Sequence, residues 1–86
     1  MAKGKFDVCD QVLECLRRLI HDDHILSSTD LRARAHYTDD NFRRLARDLP
    51  PCFKAAGHPI PKDIDEDELA GCTTVSDVCD VVGKAF

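Results

Sequence analysis

The chain has few of the features that mark membrane-spanning, exported or nucleotide-binding proteins. No apolar run in its 86 residues approaches the length that crosses a bilayer, and the MAKGKFD start lacks the apolar centre of a signal peptide. The four glycines are scattered and form no phosphate-binding loop. The net charge is −4 and the basic residues form no tract. We therefore expect a cytoplasmic protein that binds neither a membrane nor nucleic acid.

The five cysteines have neither the spacing of a zinc site nor the even number of a disulfide framework. No CxxC pair occurs, and no export signal points to an oxidising compartment. Cys72 and Cys79 fall at helical spacing among valines. We predict that the cysteines are small, buried, unpaired residues rather than metal ligands or redox groups.

No catalytic pair of side chains occurs at a recognisable spacing. His21 and His24 lie in the segment HDDH at a predicted helix end, where solvent exposure explains them better than metal binding. The neighbouring acids Asp39 and Asp40 are explained by the positive end of a helix dipole. We therefore expect no enzymatic activity, no catalytic residue and no metal.

Hydrophobic residues make up 43% of the chain and charged residues 33%, proportions that are ordinary for one folded domain. We expect a single helical domain over residues 1–86, with residues 1–5 disordered. The charge is uneven, because residues 62–86 hold seven acids against two lysines and residues 29–48 hold five arginines against four acids. The negative charge is thus concentrated near the carboxyl end of the chain.

The first helix is predicted to begin after Asp7, which is a suitable N-cap, and to end near the segment HDDH. Its apolar residues recur at the helical period: Val8, Val12, Leu16, Leu19 and Ile20. The next stretch, HILSSTDLRARAHYT, has no sustained period and is predicted to be a long loop. Ile25, Leu31 and Tyr37 are its expected anchors in the core.

A second helix is predicted to begin in the segment TDDNF. Three residues are candidate caps: Thr38, Asp39 and Asp40. Three more form its apolar stripe, for which core packing is the expected use: Phe42, Leu45 and Leu49. Pro50 and Pro51 are predicted to stop or kink this helix, since proline cannot donate a helical hydrogen bond. The segment CFKAA adds at most one turn before Gly57.

A short acidic helix is predicted in DIDEDELAG, with Leu69 directed inward and Gly71 ending it. The last helix is predicted to begin after Thr74, because Asp77 three residues later completes a capping-box pattern. Its apolar positions recur at the helical period: Cys72, Val75, Cys79, Val82 and Phe86. No alternating strand pattern occurs. The expected class is all-α, with three main helices, one short helix and a long first loop.

This order of elements resembles the acyl carrier protein family over about residues 6–86. The likeness is carried by three segments: Ile60–Pro61, the acidic run Asp63 to Glu68, and Thr73–Thr74–Val75 with Asp77. The resemblance implies a small bundle in which the short helix packs between the second and last long helices. It also implies association with a biosynthetic system such as fatty acid or polyketide synthesis.

Members of this family hold a 4′-phosphopantetheine arm on a serine in an Asp-Ser-Leu motif at the start of the second helix. Counted back from Ile60–Pro61, that motif falls on Asp40, Asn41 and Phe42. The arm is attached as a phosphodiester, and an asparagine amide is not an oxygen nucleophile. The resemblance therefore implies a module that has lost its attachment site and carries no cofactor.

A further departure from the family is the charge of the second helix. The family's helix is acidic, whereas this chain has Arg43, Arg44 and Arg47 on the matching helix. Charge complementarity then predicts a protein partner with an acidic surface. We expect a monomeric, non-catalytic docking module in which these arginines bind the partner.

Two other functions stay open at this point. In the first, the chain is a divergent carrier of acyl thioesters on 4′-phosphopantetheine, loaded on another hydroxyl such as Ser27, Ser28 or Ser76. In the second, it is an unrelated small helical adaptor, for instance of a death-fold type, for which a six-helix bundle is expected. A mass shift mapped to a serine distinguishes the first, and the helix arrangement distinguishes the second.

Overall fold

The computed structural model describes residues 6–86, which form helices joined by turns and loops. Five helices follow one another: α1 (Val8–Ile20), α2 (Leu31–Arg34), α3 (Asp39–Ala55), α4 (Glu66–Ala70) and α5 (Val75–Gly83). Residues 6–86 contain no strand beyond one isolated antiparallel bridge between Asp30 and Thr74. The predicted all-α class is therefore confirmed. The disorder predicted for residues 1–5 lies outside the described residues.

One hydrophobic core holds the five helices together. Its largest fully buried side chains come from α1, α3, α4 and the first loop: Phe42, Phe53, Leu16, Ile25, Leu31, Leu45, Leu49 and Leu69. None of the helices in residues 6–86 combines the length and the apolar character that a bilayer crossing requires. The core thus gathers most of the apolar positions that the helical periods indicate.

Helix α1 begins and ends where the sequence predicts. The Asp7 carboxylate accepts the backbone N–H groups of Cys9 and Asp10, at 2.9 and 3.3 Å. The helix ends at His21, whose left-handed backbone (φ 61°) closes the last turn. His21 and His24 are both exposed, as predicted. These local signals therefore suffice to place α1.

The first loop contains one turn of helix, α2, which was not predicted. Four residues are too few for a periodic pattern, although Asp30 caps them with its carboxylate. Ile25 and Leu31 are fully buried, which confirms two of the predicted anchors, and Tyr37 is partly buried against the core. The N–H of Leu31 also donates to the carbonyl oxygen of Thr73 at 2.9 Å. The loop is thereby fixed against the start of α5.

Helix α3 continues through Pro50 and Pro51 to Ala55, so the first of the two predicted outcomes, a stop at the prolines, is wrong, while the kink stays a prediction. A proline inside a helix costs about 3 kcal/mol because it removes a hydrogen bond and crowds the preceding turn. Leu49 and Phe53 flank the prolines and are fully buried, and each contributes about 1.5–3 kcal/mol through burial. Packing against the core therefore offsets much of the local cost.

The short helix α4 packs against α3 and against α5. Its Leu69 is buried and Gly71 ends it, both as predicted. Helix α5 begins with the predicted capping box: Thr74 Oγ1 accepts the N–H of Asp77 at 3.2 Å, and the Asp77 carboxylate accepts the N–H groups of Thr74 and Thr73. These backbone bonds hold the pKa of Asp77 below its ordinary value.

Two disulfides cross the core, so the prediction of unpaired cysteines is wrong for four of the five. Cys9 is bonded to Cys79 and Cys15 to Cys52, with Cα atoms 4.9 and 6.1 Å apart. Cys72 is free and buried, as predicted. The partners are 70 and 37 residues apart, and spacing within one helix does not reveal such pairs. The number of cysteines is odd because Cys72 is the one without a disulfide partner.

We predict that iodoacetamide will add to a single cysteine of the denatured, unreduced protein, and to all five after reduction, because only Cys72 is a free thiol. Intact-mass spectrometry counts the added groups. The variant Cys72→Ala is the matched control and should take up none before reduction. Addition of more than one group to the unreduced protein would contradict the pairing.

Candidate functional site

The start of α3 lies in a shallow, open depression of about 620 Å³. Residues from α2, the following turn and the first turns of α3 line it: Arg32, Tyr37, Thr38, Asp39, Asp40 and Arg43. This is the segment on which the resemblance places the attachment motif. The depression thus brings the predicted site residues Asp40 and Arg43 beside Arg32, which the sequence did not single out.

Asn41 serves as part of the α3 cap. Thr38 Oγ1 accepts the backbone N–H of Asn41 at 3.3 Å. In return, Asn41 Oδ1 accepts both the backbone N–H and the hydroxyl of Thr38, each at 2.9 Å. This reciprocal capping box satisfies N–H groups that have no partner inside the helix. The side chain at the position matching the attachment serine is therefore committed to local structure.

Among residues 6–86, no unengaged serine or threonine hydroxyl lines the depression. The Thr38 hydroxyl donates to Asn41 and accepts the N–H of the same residue, so the cap occupies it. Ser27, Ser28 and Ser76 are exposed but do not line this depression. The N–H of Ser76 donates to the Ser27 carbonyl oxygen at 2.8 Å, which places these two serines together at the start of α5. The depression therefore offers no free serine or threonine hydroxyl for attachment through a phosphodiester.

Arg32 connects the depression to the rest of the molecule. Its Nη1 pairs with Asp39 at 2.8 Å. Its Nε and Nη2 donate to the carbonyl oxygens of Cys72 and Ala70, at 2.9 and 2.8 Å. Its guanidinium also lies 5.0 Å from the centre of the Phe42 ring, within reach of a cation–π interaction. One side chain thus joins α2, the start of α3 and the turn between α4 and α5.

The role of Arg32 could not be found from the sequence because its acceptors are distant. The two carbonyl groups belong to Ala70 and Cys72, which lie 38 and 40 positions after Arg32 in the chain. A main-chain oxygen is present at every residue, so it leaves no signal in the sequence. The planar fork of donors explains why arginine rather than lysine occupies this position.

The arginine face of α3 (Arg43, Arg44 and Arg47) lies on the exposed side of the helix. Arg43 pairs with Asp40 at 2.9 Å. Arg44 and Arg47 form no ion pair with any acid among residues 6–86. The three arginines line a shallow groove of about 200 Å³ together with Asp40 and Glu66. The predicted partner-binding residues therefore comprise one neutralised and two unpaired cations.

Phe42 belongs to the core, although it follows Asn41 in the matching motif. It is fully buried, and so are Leu45 and Leu49 to within 1%, which confirms their predicted packing role. The Tyr37 ring meets Phe42 edge-on, with centroids 5.1 Å apart. Burial, and to a smaller degree Asp48, raises the pKa of Tyr37 above its ordinary value. Its hydroxyl is therefore protonated at neutral pH and is not a base.

The described residues offer no side chains for metal or thiol chemistry. Within residues 6–86, no three histidine, cysteine or carboxylate side chains lie close enough together to hold a metal ion. Burial raises the pKa of Cys72 to about 11, with Asp77 as a smaller cause. A protonated, buried thiol is inert. What the site presents is charge and hydrogen bonding.

Protein-family models give no match to this chain, and neither curated protein sequences nor solved structures give one. The likeness to carrier proteins therefore depends on the motifs in the sequence and on the order of the helices. Any function has to be argued from the residues at the start and along the exposed face of α3.

Replacing Asn41 with alanine is predicted to lower the free energy of unfolding by about 1 kcal/mol, because it removes half of the capping box. Asn41→Asp keeps an acceptor oxygen and adds negative charge at the positive end of the helix, so it should retain most of the stability. Denaturant unfolding followed by circular dichroism measures both. Equal losses would show that this oxygen does not cap α3.

Arg32→Ala is predicted to cost about 2–3 kcal/mol, because charge-assisted bonds to the carbonyl groups of Ala70 and Cys72 are lost together. The stability of Arg32→Lys should lie between that of the unchanged protein and that of Arg32→Ala, since an ammonium group cannot reach all the acceptors at once. Arg18→Ala is the control, because its exposed pair with Glu14 contributes at most about 0.5 kcal/mol. A loss no larger than in this control would contradict the role of Arg32.

Proposed function

We propose that this chain is a non-catalytic docking module with an acyl-carrier-protein-like fold and no attachment site for 4′-phosphopantetheine. The observation that carries the proposal is the commitment of the Asn41 side chain to the helix cap, where an attachment serine is expected. The proposed docking surface is the arginine face of α3. The proposed partner is a protein with an acidic surface in a biosynthetic system such as fatty acid or polyketide synthesis, which a monomer of this chain binds.

The arrangement of the helices supports a carrier-like fold. The resemblance implies a short helix between the second and last long helices, and α4 packs against both α3 and α5. Capping boxes are present at Thr38, beside the position where the resemblance places the attachment motif, and at Thr74, which is in one of the segments that carry the likeness. The part of the chain described here has five helices, whereas the unrelated adaptor was expected to have six.

The exposed arginines support docking as the use of this fold. Arg44 and Arg47 are exposed and form no ion pair with an acid of the described residues. Arginine is enriched in protein interfaces, and complementary charge mainly raises the rate and specificity of association. A fold without an arm can still present this face to a partner.

The cytoplasmic location expected from the sequence stays a prediction. The two disulfides weigh against it, because thiols in the cytosol are kept reduced. The alkylation count described above, made on protein trapped with the reagent in its source cells, distinguishes a reducing from an oxidising compartment.

We predict that coenzyme A and a broad-specificity phosphopantetheinyl transferase will not change the intact mass of the protein, because position 41 has no hydroxyl. Asn41→Ser restores a serine after Asp40 at the start of α3 and should gain the mass of one phosphopantetheine. Asn41→Ala is the matched control, since it also breaks the capping box but offers no nucleophile. Intact-mass spectrometry compares the three proteins.

Loading of the unchanged protein would overturn the proposal, and peptide mapping would then identify the modified serine among Ser27, Ser28 and Ser76. A folded Asn41→Ser variant that stays unloaded would argue against the carrier-like alignment. Circular dichroism on each variant shows that it is folded.

A further inference from the structure

Among residues 6–86, the unpaired positive charge gathers around one groove. Lys3 and Lys5 lie outside the described residues. Of the other lysines and arginines, five pair with acids and Arg17 donates to the carbonyl oxygen of Ile25. Four cations remain that make neither an ion pair nor such a hydrogen bond: Arg44, Arg47, Lys54 and Lys62. Three of these four are on α3.

The proline groove lies between the second half of α3 and the connector that follows it. Its lining residues are Arg47, Pro50, Pro51, Lys54, Pro59 and Ile60. Its volume of about 500 Å³ is within the range of ligand-binding clefts. Two smaller depressions adjoin it and add Arg44 and Lys62. All four unpaired cations therefore border this groove or its immediate neighbours.

The course of the chain explains why the groove has an apolar floor. Because α3 continues through Pro50 and Pro51, both rings remain on the helix surface rather than in a loop. Gly57, with φ of 87°, lets the chain turn after the helix, and the connector then brings Pro59 and Ile60 beside the two prolines. Proline has no N–H donor, so this floor presents mainly carbon to a ligand.

We infer that the proline groove binds an acidic segment of a partner protein and takes one bulky apolar side chain of that segment between the prolines and Ile60. This inference rests on the docking role proposed above and extends it from the arginine face to the second half of α3. Burial of a leucine or an aromatic side chain supplies affinity, while the surrounding cations attract carboxylates. The chain thus combines the two chemistries that an acidic amphipathic segment recognises.

The acids near the groove define how such a segment lies. Asp63 and Glu66 border the depression that holds Lys62, and Asp40 and Glu66 border the one that holds Arg44, so those ends are partly balanced. No acid lines the groove itself, where Arg47 and Lys54 flank the prolines. The partner's carboxylates therefore lie nearest to these two residues, on either side of its apolar side chain.

An anionic membrane fits the same surface less well. Segments that bind at a lipid interface insert aromatic and aliphatic side chains that project outward. Here the prolines and the half-buried Ile60 form a recess, and Asp63 and Glu66 would face the headgroups. The occupant is therefore a protein segment, and vesicles serve as the competing probe.

Two synthetic peptides test the inference. Both are short, fluorescently labelled and built of glutamate and aspartate. The first has a leucine at its centre and the second has a serine there. Fluorescence anisotropy at low ionic strength gives the Kd of each. We expect the leucine peptide to bind about tenfold more tightly, because a buried leucine contributes enough free energy for a factor of ten.

Variants separate the charge of the groove from its apolar floor. Arg47→Glu should weaken both peptides about tenfold. Arg18→Glu makes the same change in net charge on α1, away from the groove lining, and should have little effect. Pro51→Gln keeps the charge and places a good helix former at an exposed position, so the fold is retained. It should remove the preference for leucine.

Each outcome bears on one part of the inference. Equal binding of the two peptides would overturn apolar insertion while supporting acidic docking. Lack of binding by either peptide, or equal weakening in Arg47→Glu and Arg18→Glu, would overturn the groove as an acidic docking surface. Tighter binding to phosphatidylserine vesicles than to the leucine peptide would identify lipid as the occupant. Failure of the proposed function is distinguished by phosphopantetheine loading, which depends on position 41.

Discussion

Arg32 is the contact on which the arrangement around α3 depends. It is carried by a helix of four residues, which has no stability of its own. Its guanidinium nevertheless reaches Asp39 in the first turn of α3 and two carbonyl oxygens in the turn after α4. Because those two acceptors are main-chain atoms, the path of the chain is fixed there regardless of the side chains. The cap formed by Thr38 and Asn41 stabilises the same helix start.

Fold and chemistry compete for position 41. An asparagine side chain reaches back far enough for its oxygen to accept two hydrogen bonds from Thr38. A serine at that position is shorter and would leave its hydroxyl exposed for reaction at the expense of this cap. The atoms that make Asn41 unsuitable for covalent attachment are therefore those that stabilise the start of α3. Local stability and the proposed loss of the arm have the same structural origin.

Sequence reasoning succeeded where local signals determine structure. The carboxylates of Asp7 and Asp77 accept neighbouring N–H groups, so α1 and α5 could be placed from their capping residues and their helical period. The disulfides and the contacts of Arg32 join residues tens of positions apart, and no local pattern encodes them. At Pro50 and Pro51 the local rule predicted a stop or a kink, but the helix continues because the burial of neighbouring side chains offsets much of the cost. The arginine face was found because exposed charge on a helix is a local property, whereas the groove beside it requires the return of the connector.

Both disulfides begin in α1, and this has a consequence for how the protein can be broken down. The bond from Cys9 to Cys79 closes a ring that contains nearly the whole chain, and the bond from Cys15 to Cys52 divides that ring. A protease that cuts the exposed connector after α3 once, at any peptide bond, therefore leaves two pieces that are still covalently joined. Release of a fragment from inside this ring needs a second cut or a reductant. A single cut in this connector thus releases no fragment wherever the disulfides persist.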